Sequence, residues 1–308
     1  MELDRAKQLE INDKSLFDDY FLKYPPETSE LTFTNLFMWR KVYDFLFMEW
    51  KKHLLIFSNT YFKKKVAPVS KDPNSILFFP PIGPEPIKIM IELFKFLENI
   101  EIHRTPEKLS EGLRNNEEAT NLNIEIFEDR NNWDYVYPTE DLKELAGNKY
   151  RQNRRWLTKF LENYEYEFEM ITPNLVEKCK KLQLEWCIMK GCEEDEDLEE
   201  EQIAIYDALD NLDTLNFKGA MICVDDKCVA YTFGEMLNSN TLVIHIEKAH
   251  MEYEGSYQAI ANLFLNNCCG NAIFVNREQD LGIPGLRRAK ESYKPSHMVK
   301  KSIIYQKS

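Results

Sequence analysis

In the last quarter of the chain, two apolar segments each end in a cluster of charged and amide side chains. Thr241 to Ile246 (TLVIHI) finishes in Glu247-Lys248, and Ala272 to Val275 finishes in Asn276-Arg277-Glu278, with Asp280 close behind. Carboxylates can hold an ammonium group, and arginine binds carboxylate or phosphate through its planar fork. Together they suit recognition of an α-amino acid. Arg287 and Lys290, three apart on a following helix, can face the same cleft, whereas Arg288 points elsewhere. Tyr293 ends that helix and offers a hydroxyl that can donate a proton; a packed tyrosine with a wet hydroxyl is the plainer reading. An ion-pair network that only fixes the loop before Pro284 would use the same Asn276, Arg277, Glu278 and Asp280.

These groups meet only if the two segments are neighbouring strands that finish at one edge. The turn Tyr253-Glu254-Gly255-Ser256 between them opens a helix from Tyr257 to Asn267, and a strand-helix-strand unit has that geometry. Open α/β sheets bind ligands at such an edge. The rest of the C-terminal half reads β-α-α-β-β-β-α-β-α-β. It runs from the alternating Tyr166–Ile171 strand, through a helix stopped by Gly191 and a hairpin turn at Asp225-Asp226-Lys227, to a last strand pair around VKKSIIYQ. The N-terminal half repeats this order more loosely: helical LTFTNLFMWRKVY, strands DFLFMEW, HLLIFS and ILFF, helix IKIMIELFKFLE, then IEIHRTP, EKLSEGLRNN and LNIEIFED. Two copies of one α/β unit account for the 308 residues better than a single large sheet. The expected boundaries are an N-terminal domain over 1–140, a basic linker helix over 141–164 and a C-terminal domain with the site over 165–308.

In the linker, Arg151, Arg154, Arg155 and Lys159 recur at helical spacing, with Lys149 just before them. Such a face could meet an anionic substrate or tRNA phosphates; a solvated face that balances an acidic protein is the alternative. Trp156 and Phe160 would dock the helix.

The net charge of −13 disfavours non-specific nucleic-acid binding. Much of it lies in Glu193–Glu201, read as a solvated loop and first helical turn. No apolar run approaches the ~18 residues of a membrane span, and the first residues lack a hydrophobic signal region, so a cytoplasmic protein is expected. The seven cysteines form no CxxC pair and read as reduced, mostly core thiols. His245 and His250 are poorly spaced as metal ligands, and His245 alternates with Val243 like a buried, hydrogen-bonded imidazole. No metal is expected.

The run Asn276-Arg277-Glu278-Gln279-Asp280-Leu281-Gly282-Ile283-Pro284-Gly285-Leu286-Arg287, with Ala289-Lys290, Ser292-Tyr293 and Pro295, resembles an uncharacterised bacterial family related to the C-terminal domain of lysylphosphatidylglycerol synthases. His245-Ile246-Glu247-Lys248-Ala249, Tyr253-x-Gly255-x-Tyr257-Gln258-Ala259-Ile260, Leu31 to Leu36 with Trp39-Arg40, Trp133 to Tyr137, and Lys149-Tyr150 match as well. The linker departs from the family pattern: it reads KYRQNRRW and carries no histidine. The resemblance implies two tandem GNAT-like acyltransferase domains of mixed α/β class, as in the Fem peptidyltransferases, which transfer an aminoacyl group from charged tRNA to an amine.

Within that fold, Glu247 is the candidate base, a role worth ~10²–10⁴ in rate; as structural glue it would pair with Lys248, Arg277 or Arg287. Free backbone N–H groups on its strand could serve the oxyanion. Tyr293 is the candidate acid, and Lys248, Asn276, Arg277, Glu278, Asp280, Arg287, Lys290, Lys149, Arg151 and Arg154 are candidate substrate contacts. Gly255 and Ser256 could cradle a phosphate at the helix N-terminus, although Glu252 and Glu254 beside them repel a pyrophosphate. The donor implied is aminoacyl-tRNA or an acyl-CoA, and the acceptor an amine or hydroxyl on a small molecule, lipid headgroup or peptide. A non-catalytic binding module and a CoA-dependent N-acetyltransferase are the alternatives.

Overall fold

Fourteen strands form among the residues that the computed structural model describes, which are 2–64, 68–70, 72 and 74–307. The first seven are β1 (Lys7–Gln8), β2 (Leu46–Trp50), β3 (His53–Ser58), β4 (Ile76–Phe78), β5 (Ile100–Pro106), β6 (Ile124–Glu128) and β7 (Asp134–Pro138). The others are β8 (Glu167–Met170), β9 (Lys218–Val224), β10 (Lys227–Met236), β11 (Thr241–Ala249), β12 (Phe274–Asn276), β13 (His297–Val299) and β14 (Lys301–Gln306). They build two sheets, ordered β1-β2-β3-β4-β5-β14-β6 and β8-β9-β10-β11-β12-β7-β13.

The two sheets repeat one plan. Three antiparallel pairs lead to one parallel pair, β4 with β5 in the first sheet and β11 with β12 in the second. Each parallel pair is joined by a helix, Pro86–Phe96 or Ser256–Cys268. The sixth strand is antiparallel in both sheets and comes from elsewhere in the chain: β14 beside β5, and β7 beside β12. Two mixed sheets flanked by helices make this a tandem GNAT-like α/β protein.

The sixth strands differ from the sequence reading. The segment VKKSIIYQ, whose place in sequence suggests the last strand of the C-terminal domain, pairs in the first sheet, and WDYVYP supplies a strand to the second. The chain therefore divides into Met1–Asp134 with Val299–Ser308, and Tyr135–Met298. Apolar alternation marks a strand but not its partner. In this position β14 places Lys301, a fully buried ammonium group, among carboxylates of the first unit. Its Nζ donates to the Glu30 carboxylate at 2.7 and 2.8 Å and to Asp134 Oδ1 at 2.6 Å. Asp134 also accepts from the Ser29 N–H at 2.9 Å and hydroxyl at 2.8 Å. Arg104, at φ 58°, adds ion pairs to Glu30 at 3.0 Å and Asp129 at 2.8 Å. Burial pushes the Glu30 carboxyl above its usual range, against the pull of Lys301.

In the second unit, the helices Thr139–Glu144, Arg151–Asn163 and Ser256–Cys268 pack together on one face of the sheet. The helices Val176–Lys190 and Glu196–Asp210 cover the other. The expected linker therefore belongs to this unit: Phe160 is fully buried in one core with Ile222, Val229 and Ile260. The hairpin turn forms at Asp225 and Asp226, both at positive φ. Five cysteines are buried free thiols. Cys187 and Cys192 are instead joined in a disulfide, which corrects the expectation of reduced thiols throughout. Gly191, left-handed at φ 70°, turns the helix end back and brings their Cα atoms to 5.1 Å. Among the described residues, no helix is long and apolar enough to cross a membrane.

Breaking a buried charge network by removing one partner costs about 3–5 kcal/mol. Lys301→Met should lower the unfolding free energy by that amount, read as a smaller urea midpoint with the slope unchanged.

Candidate active site

Parallel pairing of β11 with β12 runs from Thr241↔Phe274 to Val243↔Asn276 and ends there, while β11 continues to Ala249. Just past the last pair β11 carries a bulge. Phe233 of β10 opposes Ile246 but Gly234 opposes Ile244, so His245 is the extra residue. In a regular strand Ile244 and Glu247 would point to opposite faces. With the bulge, both line the same narrow cleft. Gly234 is required opposite it, because a Cβ there would lie 2.1 Å from the Val243 carbonyl oxygen.

The cleft lies beneath the helix Ser256–Cys268. Its walls are aliphatic and aromatic, including Leu142, Phe264, Leu265 and Val275, and its polar groups are Glu247, Arg277, Tyr293, Thr232, Gln258 and Asn262. An Arg277 nitrogen donates to Glu247 Oε1 at 2.7 Å, and the guanidinium stands 4.7 Å from the Tyr293 ring centre. Burial works against the arginine charge, but Glu247, Tyr293 and Tyr137 outweigh it and hold its pKa above the ordinary value. Burial raises the Tyr293 hydroxyl while Arg277 lowers it, with a net upward shift, so the phenol stays protonated near neutrality. The exits of β11 and β12 thus place Glu247 and Arg277 in one cleft with Tyr293.

The other predicted groups after β12 shape the loop. Asn276, fully buried, accepts the Glu278 N–H at 2.8 Å, and Glu278 takes φ 56°. Asp280, also fully buried, accepts from the Tyr135 hydroxyl at 2.7 Å, the Gly282 N–H at 2.8 Å and the Arg287 fork at 2.9 Å twice. Lys290 donates to the Arg277 carbonyl. These are the ion-pair and turn contacts of a fixed loop, and they hold Arg277 in place. Behind it, His245 bridges Glu278 at 2.9 Å and Glu235 at 3.1 Å. Burial alone would lower its pKa, but the hydrogen bonds to Glu235 and Glu278 raise it to about 9.

Several predicted residues do not join this cleft. Lys248 follows Glu247 and so points to the opposite face of the sheet, where it lies 3.6 Å from the Trp186 ring centre and donates to Glu201 at 2.6 Å. Burial lowers its pKa. Lys149 pairs with Asp141 at 2.8 Å, and Arg154 folds back onto the Leu145 and Gly147 carbonyls at the end of the preceding helix. Arg151 is exposed. Helical spacing had gathered these cations on one face, but the carbonyls and carboxylates next to them draw two of them down.

The turn at Gly255 is closely packed against a neighbouring helix. Gly255 has φ 87°, and a Cβ on it would lie 2.1 Å from the Trp156 carbonyl oxygen. Its glycine serves close packing of the helix Arg151–Asn163. Ser256 is buried; its N–H donates to Tyr253 O at 3.0 Å and its hydroxyl to His250 O at 3.2 Å. Glu254 pairs with Lys159. Among the described residues, no group of three or more His, Cys, Asp or Glu is arranged to hold a metal ion.

Thr232, Gln258 and Asn262 complete the polar lining and are not among the site candidates that the sequence singles out. Gln258 and Asn262 are four apart on the helix Ser256–Cys268, a spacing that puts two amides on one face of an otherwise apolar helix. Asn262 donates to the Leu142 and Lys143 carbonyls at 3.2 and 2.7 Å, so it caps the neighbouring helix at the cleft wall.

A repeated sheet with its parallel strands parting over a polar cleft defines a tandem GNAT-like protein. Residues 22–305 match the model of the phosphatidylglycerol lysyltransferase C-terminal family, and the chain belongs to that family. It is similar to an uncharacterised protein of Mycoplasmoides gallisepticum, 25% identical over 173 residues, which are 55% of each chain. The chain therefore spans about half the length of the curated relative it matches. A crystal structure of a conserved protein of unknown function from Bacteroides thetaiotaomicron has a TM-score of 0.87 at 29% identity, covering 98% of this chain and 99% of that one. The structure of L-PGS from Bacillus licheniformis shares the fold, with a TM-score of 0.65 at 13% identity over 99% of this chain and 94% of that one.

Two outcomes follow from these contacts. Gly255→Ala places a side chain at a left-handed position against a carbonyl, so it should destabilise by more than ~1 kcal/mol in thermal or urea unfolding. A folded-state His245 pKa above the unfolded value adds stability that is full below about pH 6.5 and is lost as pH rises through about 9. Unfolding at pH 6 and pH 10 should therefore differ by on the order of 3 kcal/mol, and His245→Gln should remove most of that difference.

Proposed function

We propose that the protein is an aminoacyltransferase whose chemistry takes place in the cleft where β11 and β12 part. The observation that carries this reading is the Glu247–Arg277 ion pair at 2.7 Å, directed into an apolar cleft beside the Tyr293 ring. Membership of the phosphatidylglycerol lysyltransferase C-terminal family supports the same class of reaction. In this reading, an acceptor hydroxyl or amine gives its proton to the Glu247 carboxylate as its oxygen or nitrogen attacks the aminoacyl ester carbon. Arg277 holds Glu247 in place and offers positive charge to a phosphate or carboxylate of the substrate. The β12-facing edge of β11 past Val243 lies beyond the parallel pairing, and its N–H groups serve the oxyanion. When the ester breaks, the leaving 3′-oxygen of the tRNA takes the Tyr293 proton.

The donor is aminoacyl-tRNA rather than a CoA ester, because the Gly255 turn is packed against Trp156 and flanked by carboxylates. The acceptor is a hydroxyl or amine on a lipid headgroup or peptide. In assays of labelled aminoacyl-tRNA with phosphatidylglycerol or peptide amines, Glu247→Gln should lower turnover by ~10²–10⁴ while ligand affinity is kept. Unchanged turnover in Glu247→Gln would remove the base. A change in affinity alone would make the cleft a binding site, and stabilisation by acetyl-CoA alone would replace the donor.

A further inference from the structure

The edge of β11 that faces the gap left by β12 carries more than backbone donors. The His250 N–H donates to the Val229 carbonyl of β10 at 2.8 Å, and hydrogen-bonded pairs alternate along an antiparallel ladder. Glu247 and Ala249, opposite Thr232 and Ala230, therefore turn their N–H groups away from β10 and toward the gap. Into this gap reaches the Tyr257 hydroxyl. Tyr257 stands in the first turn of the helix Ser256–Cys268 on one face of the sheet, and Trp186 comes from the helix Val176–Lys190 on the other. The Trp186 indole N–H donates to the Tyr257 oxygen at 3.0 Å, so this bond crosses the plane of the sheet beside β11. The Ala249 N–H bears on the same oxygen. With donors on its oxygen, a phenol has only its O–H left to give. Among the described residues, that O–H meets no acceptor. Burial raises the pKa of the phenol against the pull of the two donors, so the group stays protonated. Trp186 is itself fixed: Lys248 Nζ lies 3.6 Å from the centre of its ring, and the next residue, Cys187, is bonded to Cys192.

We propose that Tyr257 is a further catalytic residue, its O–H acting with the Glu247 N–H to hold the oxyanion of the tetrahedral intermediate. Two N–H groups on one edge, two residues apart, are separated by roughly 6–7 Å. One oxygen that accepts from the Glu247 N–H at ~2.9 Å and from the phenol at ~2.7 Å spans that interval. As the acceptor atom attacks the ester carbon, the carbonyl π pair moves onto its oxygen. Both donors then shorten toward that oxygen without giving up their protons. The acceptor proton still goes to Glu247, and the leaving oxygen still takes its proton from Tyr293. Donors aimed at charge that develops only in the transition state raise turnover and leave substrate affinity almost unchanged. The proposal rests on the aminoacyl-transfer reading for the reaction, though not for recognition of a tetrahedral anion beside β11.

Tyr257→Phe keeps the ring and removes the O–H. In transfer assays with labelled aminoacyl-tRNA it should lower kcat ~10²–10³-fold with KM little changed. Calorimetry with α-aminophosphonate monoesters, whose tetrahedral anionic centre imitates the intermediate, should show tight binding to wild type that falls by the same factor in the variant. The matching amino-acid amides, with a planar carbonyl, should bind both proteins alike. Trp186→Phe keeps the hydroxyl but loses its donor, and should weaken phosphonate binding only about fivefold. Should Tyr257→Phe unfold because the indole N–H is left unpaired, the double variant Trp186→Phe/Tyr257→Phe removes both partners and should show the full loss. Equal phosphonate affinity in wild type and Tyr257→Phe overturns the proposal. So does an equal loss for phosphonate and amide, which would make the hydroxyl a structural or ground-state contact. Where Glu247→Gln abolishes turnover and Tyr257→Phe leaves it unchanged, only the role of Tyr257 falls. Selective loss of phosphonate binding without transfer to any acceptor keeps the anion site and removes the catalytic reading. Neither transfer nor phosphonate binding by wild type removes both.

Discussion

The second unit depends on where two parallel strands stop pairing. Past Val243 and Asn276 the backbone of β11 no longer follows β12, and the bulge at His245 rotates Glu247 into the space that opens. A carboxylate in such a place needs a counter-charge, because an unpaired buried charge is costly. Arg277 supplies it, and the loop behind Arg277 is built to hold that guanidinium in position. Asn276, Glu278, Asp280, Arg287 and Lys290 all satisfy one another or the backbone around it. Much of the charged sequence after β12 is therefore support for one ion pair.

The first unit has the same framework with different contents. Its parallel pairing ends at Phe78↔Ile102, so His103 follows the last pair as Arg277 does in the second unit, and Arg104 follows it as Glu278 does. The backbone agrees, with φ 58° at Arg104 and 56° at Glu278. The side chains do not. His103 pairs with Glu101 at 2.8 Å, and Arg104 joins the buried network of Glu30, Asp129, Asp134 and Lys301. Where the second unit has a cleft between its strands, the first has internal ion pairs at the corresponding exit.

Features that a single segment decides are legible in the sequence. Asp225-Asp226 marks a hairpin, Gly191 stops a helix, and the ends of two apolar runs foretell a polar edge. What escaped the reading depends on long-range partners. Nothing within VKKSIIYQ tells that Lys301 will neutralise Glu30 and Asp134, so its sheet could not be assigned. The bulge was invisible too, since apolar alternation in TLVIHI looks regular and only the register against β10 reveals the extra residue. Gly255 is legible as a turn glycine, but the sequence does not tell what approaches it, and the Trp156 carbonyl that packs there is set by a helix roughly a hundred residues earlier.

The exchange of sixth strands bears on how the polypeptide is made. β5 emerges from the ribosome with one edge unpaired, and its neighbour β14 begins roughly two hundred residues later. At ~5–20 residues per second, that edge waits on the order of ten seconds or more. Throughout that interval the earlier half presents an open β-edge and lacks the lysine that neutralises Glu30 and Asp134. The two halves therefore close in the reverse of their order along the chain, the earlier one after the later.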